Sequence, residues 1–271
     1  MPLYIVSTPI GNLGDITLRA IEILRGADVI LAEDTRVSRV LLEHHGITTR
    51  MMAFHEHNEA RATPGVLERL ARGESVALIS DAGTPLLSDP GARLVRAAVD
   101  QGYPVVPVPG ASALLAALVA SGLATDRFTF FGFLPRTGRD RASVLEALSN
   151  LPHTGVLFEA PGRVATTLRE LDELGLADRE VVVARELTKR HESFRRGTAA
   201  ELAAYYAVSP PRGEVVMLVQ GRSEAPVDEA ALRQRAEELR ATGLSVRDTA
   251  AALARELGVP RNLAYRAARQ A

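Results

Sequence analysis

"SVALISDAGTPLLSDPGARLVRAAV" (residues 75–99) holds the pattern on which the fold reading rests. The apolar run Val76–Ile79 has the length and composition of a buried strand, and from Ala92 onward the apolar residues recur at helical spacing. Between them lie twelve residues, 80–91, with two Gly, two Pro and two Asp. A strand that leaves into such a loop and returns as a helix is one β/α unit. The loop either cradles a phosphate, holds another kind of cofactor, or only links strand to helix.

The same alternation recurs on both sides. Strands are predicted at 3–7, 28–32, 51–54, 75–80 and 104–108, with helices near 17–25, 36–45, 58–72, 91–101 and 111–122. A second set follows the turn at 122–127: strands at 128–134, 155–160, 180–185, 193–197 and 214–220, and helices near 139–149, 163–174 and 198–206. The pattern is α/β layering with largely parallel strands. Beyond it come helices alone, with Ser245 as a cap, Gly258 as a stop and the spacing of a helix-turn-helix. The predicted division is 1–124, 125–224 and a helical extension over 225–271.

Composition narrows the function classes. With 271 residues, 46% of them hydrophobic, the chain can build its core without staples. Cysteine is absent, which removes disulfides and thiol chemistry and fits a cytoplasmic protein. The most apolar stretch, 111–124, is too short to span a bilayer and reads as a buried helix; the N-terminus has no signal-peptide pattern, so no membrane association is expected. Net charge is −1, but arginine clusters at 136–141, 185–196 and 259–271. Lys189 is the only lysine among 32 cationic side chains.

In open α/β sheets ligands gather beyond the carboxyl ends of strands. Here those ends read "STPIGNLGD" (7–15), "EDTR" (33–36), "FHEHNE" (54–59), "SDAGTP" (80–85) and "PVPGAS" (107–112). Neither a G-x-G-x-x-G fingerprint nor a phosphate-binding G-x-x-x-x-G-K-[ST] loop is present, and no G-x-S-x-G elbow occurs. His55 and His57 have no third ligand at fixed spacing, so no metal site is expected.

In order along the first 220 or so residues, "STPIGNLGDITLRA", "AEDTRVSRVLL", "FHEHNE", "SDAGTPLLSDPG", "VPVPGASALLAALVASGL", "FFGFLPR", "ARELTKRHE" and "GEVVMLV" closely resemble the ribosomal RNA small subunit methyltransferase I family. That family lies in the tetrapyrrole-methylase superfamily, the class III S-adenosylmethionine (SAM) enzymes, and the helical tail resembles its C-terminal extension. The resemblance implies a two-domain tetrapyrrole-methylase-like α/β fold, a homodimer, and SAM held between the domains. It implies 2′-O-methylation of the ribose of a decoding-centre cytidine in 16S rRNA, free or within the 30S subunit or its precursor, with no DNA substrate. Thr8, Pro9, Asp81, Ala82, Gly83, Thr84, Ser112, Ala113, Phe158, Glu214 and Val215 would then line the cofactor pocket. Arg136, Arg139, Arg163, Arg190, Arg261 and Arg266 are the candidate RNA contacts.

A ribose hydroxyl is a weak nucleophile until a base takes its proton or a cation stabilises the oxyanion. The candidates are Lys189, Glu33, His55 and Arg36, with Asp34 beside them. Lys189 serves as base if neutral, as oxyanion partner if charged, or as a grip on RNA phosphate. One position departs from the family pattern: where an aromatic-Glu-x-x-His-Arg stretch is usual, this chain reads "FEAPGR", with Gly162 in the His place. Two rival readings remain. A C-methyltransferase of the corrin or sirohaem pathway would show "GxGPGDPxLLT" and "GDPxxYG" stretches, which this chain lacks. A non-enzymatic nucleic-acid binder built on the C-terminal helices leaves the specialised strand ends unexplained.

Overall fold

A computed structural model of the chain describes residues 1–222, 229–257, 259 and 261–271. They form two compact units, Met1–Arg222 and Ser223–Ala271. The first strands, β1 (Leu3–Val6), β2 (Val29–Ala32), β3 (Met51–Ala53), β4 (Val76–Ile79) and β5 (Val105–Val108), make a sheet in the order β3-β2-β4-β1-β5. Every pairing in it is parallel. Helices α1 (Leu18–Gly26), α2 (Thr35–His44), α3 (Glu59–Ala71) and α4 (Ala92–Asp100) cover its two faces. Alternation in β4 shows why: Ala77 and Ile79 join one buried cluster with Leu24 and Leu42, while Val76 and Leu78 join the opposite one with Leu70 and Leu94. A strand buried on both sides reads as a continuous apolar run.

The second sheet has the order β6-β7-β10-β8-β9, built from β6 (Phe128–Phe133), β7 (Thr154–Glu159), β8 (Glu180–Arg185), β9 (Ser193–Thr198) and β10 (Val215–Val219). Only β6 and β7 run parallel; β10 is antiparallel to both β7 and β8, and β8 to β9. The expectation of largely parallel strands therefore holds for the first sheet and not for the second. The 186–192 connection is too short for the crossover a parallel pair requires, so β8 and β9 form a hairpin. One face of this sheet is covered by α6 (Gly138–Asn150), α7 (Val164–Glu173) and α8 (Ala199–Val208), through Leu145, Leu148, Leu168 and Leu202.

The other face is covered by α5 (Ala113–Ser121), which follows the last strand of the first sheet in the chain yet packs on the second. Leu114, Ala117 and Leu118 meet Val156, Val182, Val216 and Leu218. The expected burial of this helix is half right, because Leu115 and Val119 on its outer side are 50% and 75% exposed. Its C-terminus is held by Arg196 of β9, which donates to the carbonyls of Ser121 (2.7 Å) and Ala120 (2.6 Å). Part of the basic 185–196 stretch is thus spent on capping a helix.

In the second unit α9 (Glu229–Ala241), α10 (Val246–Leu257) and α11 (Arg261–Gln270) enclose a small core of Leu232, Leu239, Leu253 and several alanines. Ser245 caps α10 as expected, its hydroxyl accepting from the Asp248 amide at 3.1 Å. Gly258, the predicted stop, and residue 225, the predicted start of the extension, lie outside the described residues.

The loop 80–91 is anchored at its far end by a residue from another helix. Glu59, buried at the start of α3, accepts from the amides of Gly91 (3.2 Å), Arg93 (2.9 Å) and Leu94 (3.3 Å) at the N-terminus of α4. A carboxylate there meets three unsatisfied donors and the positive end of the helix dipole. Glu59→Ala is expected to cost about 2 kcal/mol in urea denaturation, and Glu59→Gln, which keeps an acceptor, about half of that.

Candidate functional site

Because β4 lies beside β1 at the centre of the first sheet, the loops that follow them leave side by side. Thr8 and Gly83 pair there as an isolated antiparallel bridge, Thr8 N to Gly83 O at 2.8 Å and Gly83 N to Thr8 O at 3.0 Å. The Thr8 hydroxyl donates to Ser80 O at 3.1 Å, and the Ser7 and Thr84 hydroxyls lie 3.0 Å apart. Thr84 also reaches the loop after β5, donating to Ala111 O at 3.3 Å. Gly83 has φ +83°, and a Cβ there would sit 3.2 Å from Ile10, so glycine suits both the turn and the contact.

Beyond the bridge the loop bends through Leu86 (φ 73°) and Ser88 (φ 72°), left-handed conformations that non-glycine residues seldom adopt. Glu186 (φ 52°) and Thr188 (φ 64°) do the same across the way. Backbone strain of this kind gathers at functional sites. Ser88 faces a bulge in β6, where the register shifts between Phe130 and Phe133 and Gly132 has φ +64°. The bulge brings Phe133 to within 5.4 Å of the Phe158 ring, which also meets Phe130 at 4.9 Å.

These segments enclose a cavity of about 510 Å³, within the range of cofactor sites. Of the predicted cofactor residues, Asp81, Ala82, Gly83, Thr84, Ser112, Ala113, Phe158, Glu214 and Val215 line it. Thr8 and Pro9 line a second, more open cavity of about 610 Å³, together with Arg36 and Lys189. The two share Ile10, Asp81, Ala82 and Glu214 as a common wall. Sequence reasoning missed Ile10, Leu87, Asp89, Phe133 and Leu187, which also line the first cavity. Asp89 was in view inside the loop, and Gly132 within "FFGFL" was the available sign of a bulge.

Five acidic residues line the first cavity: Glu159 and Glu214 are paired with Arg163 and Lys189, and the other three are Glu33, Asp81 and Asp89. Burial raises the pKa of each of these three. The charges of Asp89 and Asp81 add to the rise at Glu33, that of Asp34 at Asp81, and that of Asp81 at Asp89, where the Ser80 hydroxyl works the other way. None of the three forms an ion pair among the described residues, so the cavity wall carries negative charge without a counterion.

The second cavity is arranged differently. Arg36 holds Asp34 at 2.6 Å, and its hydrogen bonds keep that carboxyl far below the usual range. Lys189 lies 3.0 Å from Glu186 and 3.1 Å from Glu214. Burial works against its charge, but the two carboxylates outweigh burial and raise its pKa. The two ion pairs favour the charged form, and with it the oxyanion-partner or phosphate-grip reading over that of a neutral base. Its stem packs on Gly11, where a Cβ would come within 2.5 Å of Cγ.

The remaining candidates lie elsewhere. His55 lines neither cavity; its amide donates to Asn58 Oδ1 at 2.9 Å and its ring lies 6.0 Å from that of His57. Arg136, Arg139 and Arg190 are exposed. Arg163 is turned inward, 2.5 Å from the fully buried Glu159 and bonded to Leu134 O. Arg141 and Thr167 complete that network, Thr167 donating to Glu159 at 2.7 Å. Gly162, at the family His position, has open space where a Cβ would point, so its change leaves the Glu159–Arg163 turn intact. In the helical unit, Arg261 is exposed and Arg266 pairs with Glu229 at 2.8 Å.

Residues 2–203 match the family model described as Tetrapyrrole (Corrin/Porphyrin) Methylases. A protein of Mesorhizobium japonicum named "Ribosomal RNA small subunit methyltransferase I" is 54% identical, with 84% of this chain and 78% of that one covered. One of the same name from Pseudomonas aeruginosa is 47% identical over 99% of this chain and 96% of its own length. Among solved structures, a diphthine synthase matches with a TM-score of 0.67 at 18% identity, covering 83% of this chain and 92% of that one. A uroporphyrin-III C-methyl transferase from Thermus thermophilus, complexed with S-adenosyl homocysteine, matches with a TM-score of 0.59 at 23% identity, covering 81% and 97%. The solved structures share the fold.

The raised carboxylates have a stability consequence. A carboxyl whose pKa rises on folding binds protons more tightly in the folded chain. Its contribution is fully present below the ordinary carboxylate range and is lost as pH rises through the raised value. Glu33→Gln and Asp89→Asn are each expected to raise the melting temperature of the ligand-free protein at pH 7 to 8. The gain should shrink to nothing in thermal melts below about pH 4.

Proposed function

The chain belongs to the ribosomal RNA small subunit methyltransferase I family, within the tetrapyrrole methylases, and on that footing we propose that it is an enzyme that moves a methyl group from SAM to small-subunit ribosomal RNA. The acceptor in this reading is the ribose 2′-oxygen of a decoding-centre cytidine in 16S rRNA, free or within the 30S subunit or its precursor. The enzyme works in the cytoplasm as a homodimer, and residues 1–124 and 125–224 form its two methylase halves with 225–271 as the helical extension.

The observation that carries the reading is the uncompensated negative wall of the first cavity. SAM bears a sulfonium and an ammonium, and Glu33, Asp81 and Asp89 supply the charge such a ligand needs. Ala82 and Gly83 allow close approach of the backbone, and Ile10, Phe158 and Val215 offer apolar surface. When bound, SAM supplies an already activated methyl group. The residues of the chain then have to position the acceptor and manage its proton.

Of the catalytic candidates, Glu33 fits the role of proton acceptor, because its raised pKa brings it closer to neutrality than an ordinary carboxylate. Lys189 and Arg36 fit the role of fixed cations beside the acceptor. His55 is the weakest of the four because it borders neither cavity. Arg136, Arg139, Arg190 and Arg261 are exposed and have no ion pair among the described residues, which suits them to RNA phosphate, while Arg163 and Arg266 would have to share their existing carboxylates.

Calorimetric titration with SAM tests the cofactor site. Asp81→Asn is expected to weaken binding by about tenfold at pH 7.5, the loss of one charge-assisted contact. Wild-type affinity should fall with decreasing pH as the three carboxyls gain protons. Ribose-methylation mapping of 16S rRNA from a deletion strain should lack one cytidine signal, and an unchanged map would refute the assigned acceptor.

A further inference from the structure

The second cavity shares a wall with the first at Ile10, Asp81, Ala82 and Glu214. Its rim carries two cations, each with a hydrogen-bond donor to spare. Arg36 spends Nε and Nη2 on Asp34, its side chain is 88% exposed, and Nη1 has no hydrogen-bond partner among the described residues. Lys189 uses two of its three N–H groups, on Glu186 and Glu214. Part of the lining is apolar: Pro9, Val37 and Val40 border the cavity, and the two valines are 47% and 59% exposed.

A third feature is independent of these. Ser38 also lines this cavity, is 4% exposed, and its hydroxyl has no hydrogen-bond partner among the described residues. A buried hydroxyl without a partner costs stability, and such groups in folded proteins call for an explanation. A polar ligand seated in the cavity provides one.

We propose that this second cavity seats the acceptor ribonucleotide, with Arg36 and Lys189 on its flanking phosphates, Ser38 Oγ bonded to a sugar or base-edge group, and Pro9, Val37 and Val40 against the base. The proposal rests on the reading of the protein as an RNA methyltransferase. Two cations beside an aliphatic surface and one orphaned hydroxyl match the three chemical parts of a nucleotide. For direct transfer the ribose oxygen has to pass the edge shared by the two cavities, at Ile10, Asp81, Ala82 and Glu214, and meet the donor methyl in line with the departing sulfur. Arg36 and Lys189 become substrate-holding residues, and the packing of Lys189 on Gly11 becomes the device that aims the ammonium across the cavity.

The test uses the full chain with purified small ribosomal subunits from a strain lacking the modification, and radiolabelled SAM. Arg36→Gln and Lys189→Met are each expected to raise the KM for subunits about tenfold. Each should also reduce the slope of log affinity against log salt by about 0.7 to 1. Val40→Glu should raise the same KM at least as much, and Ser38→Ala a few-fold. Calorimetric affinity for SAM should be unchanged in all four, which also reports that they are folded. Unchanged subunit KM and salt slope in both cation variants, with wild-type transfer intact, would overturn the inference and leave the proposed activity standing. Loss of SAM affinity in Lys189→Met or Val40→Glu would place part of the cofactor here and overturn it as well. Absence of methyl transfer by the wild type would overturn the activity and this inference together.

Discussion

Two backbone hydrogen bonds between Thr8 and Gly83 hold the site together. They join the loops that follow β1 and β4, strands that are neighbours in the sheet although more than seventy residues separate them in the chain. With the bridge formed, Asp81 and Ala82 are fixed on the wall between the two cavities, and Thr84 is placed to reach the loop after β5. The bridge is possible because β4 inserts next to β1 in the order β3-β2-β4-β1-β5. Glycine at 83 lets the chain turn there against Ile10.

The price of this arrangement is electrostatic. The strand order brings Glu33, Asp81 and Asp89 around one cavity, where burial and neighbouring carboxylates raise their pKa values. A chain selected for stability alone would have neutral groups in those places; a chain that binds a cation gains from charge held in advance. Across the shared wall the carboxylates of Asp34, Glu186 and Glu214 are instead matched by Arg36 and Lys189. The two sides of the wall thus differ in character, unpaired carboxylates on one and cations paired with carboxylates on the other.

The second sheet supports the site by different means. Glu159 at the end of β7 is fully buried and held by Arg163 and Thr167, with Arg141 3.7 Å away, which fixes the turn that borders the first cavity. Breaking a buried network of this kind leaves an uncompensated charge, so its members act as a unit. The bulge at Gly132 adds an aromatic wall through Phe133 and Phe158. Because α5 crosses from the first sheet to pack on the second, Ser112 and Ala113 at its start reach the same cavity.

Much of this was legible in the sequence for a simple reason: strands buried on both faces and helices with one apolar stripe leave periodic marks on any chain that forms them. The strands and helices expected for the first two regions appear in the structure within a residue or two, and the Asp81–Thr84 stretch stood out because its composition suits neither strand nor helix. What the sequence could not contain was distance. The antiparallel course of β10, the bare outer side of α5, the two carboxylates beside Lys189 and the meeting of Asp89 with Glu33 all depend on which segments become neighbours. Local sequence determines the elements and the residues that interrupt them, while the pairing of β1 with β4 and the packing of α5 decide which charges share a cavity, because electrostatic and burial energies follow separation in space rather than position along the chain.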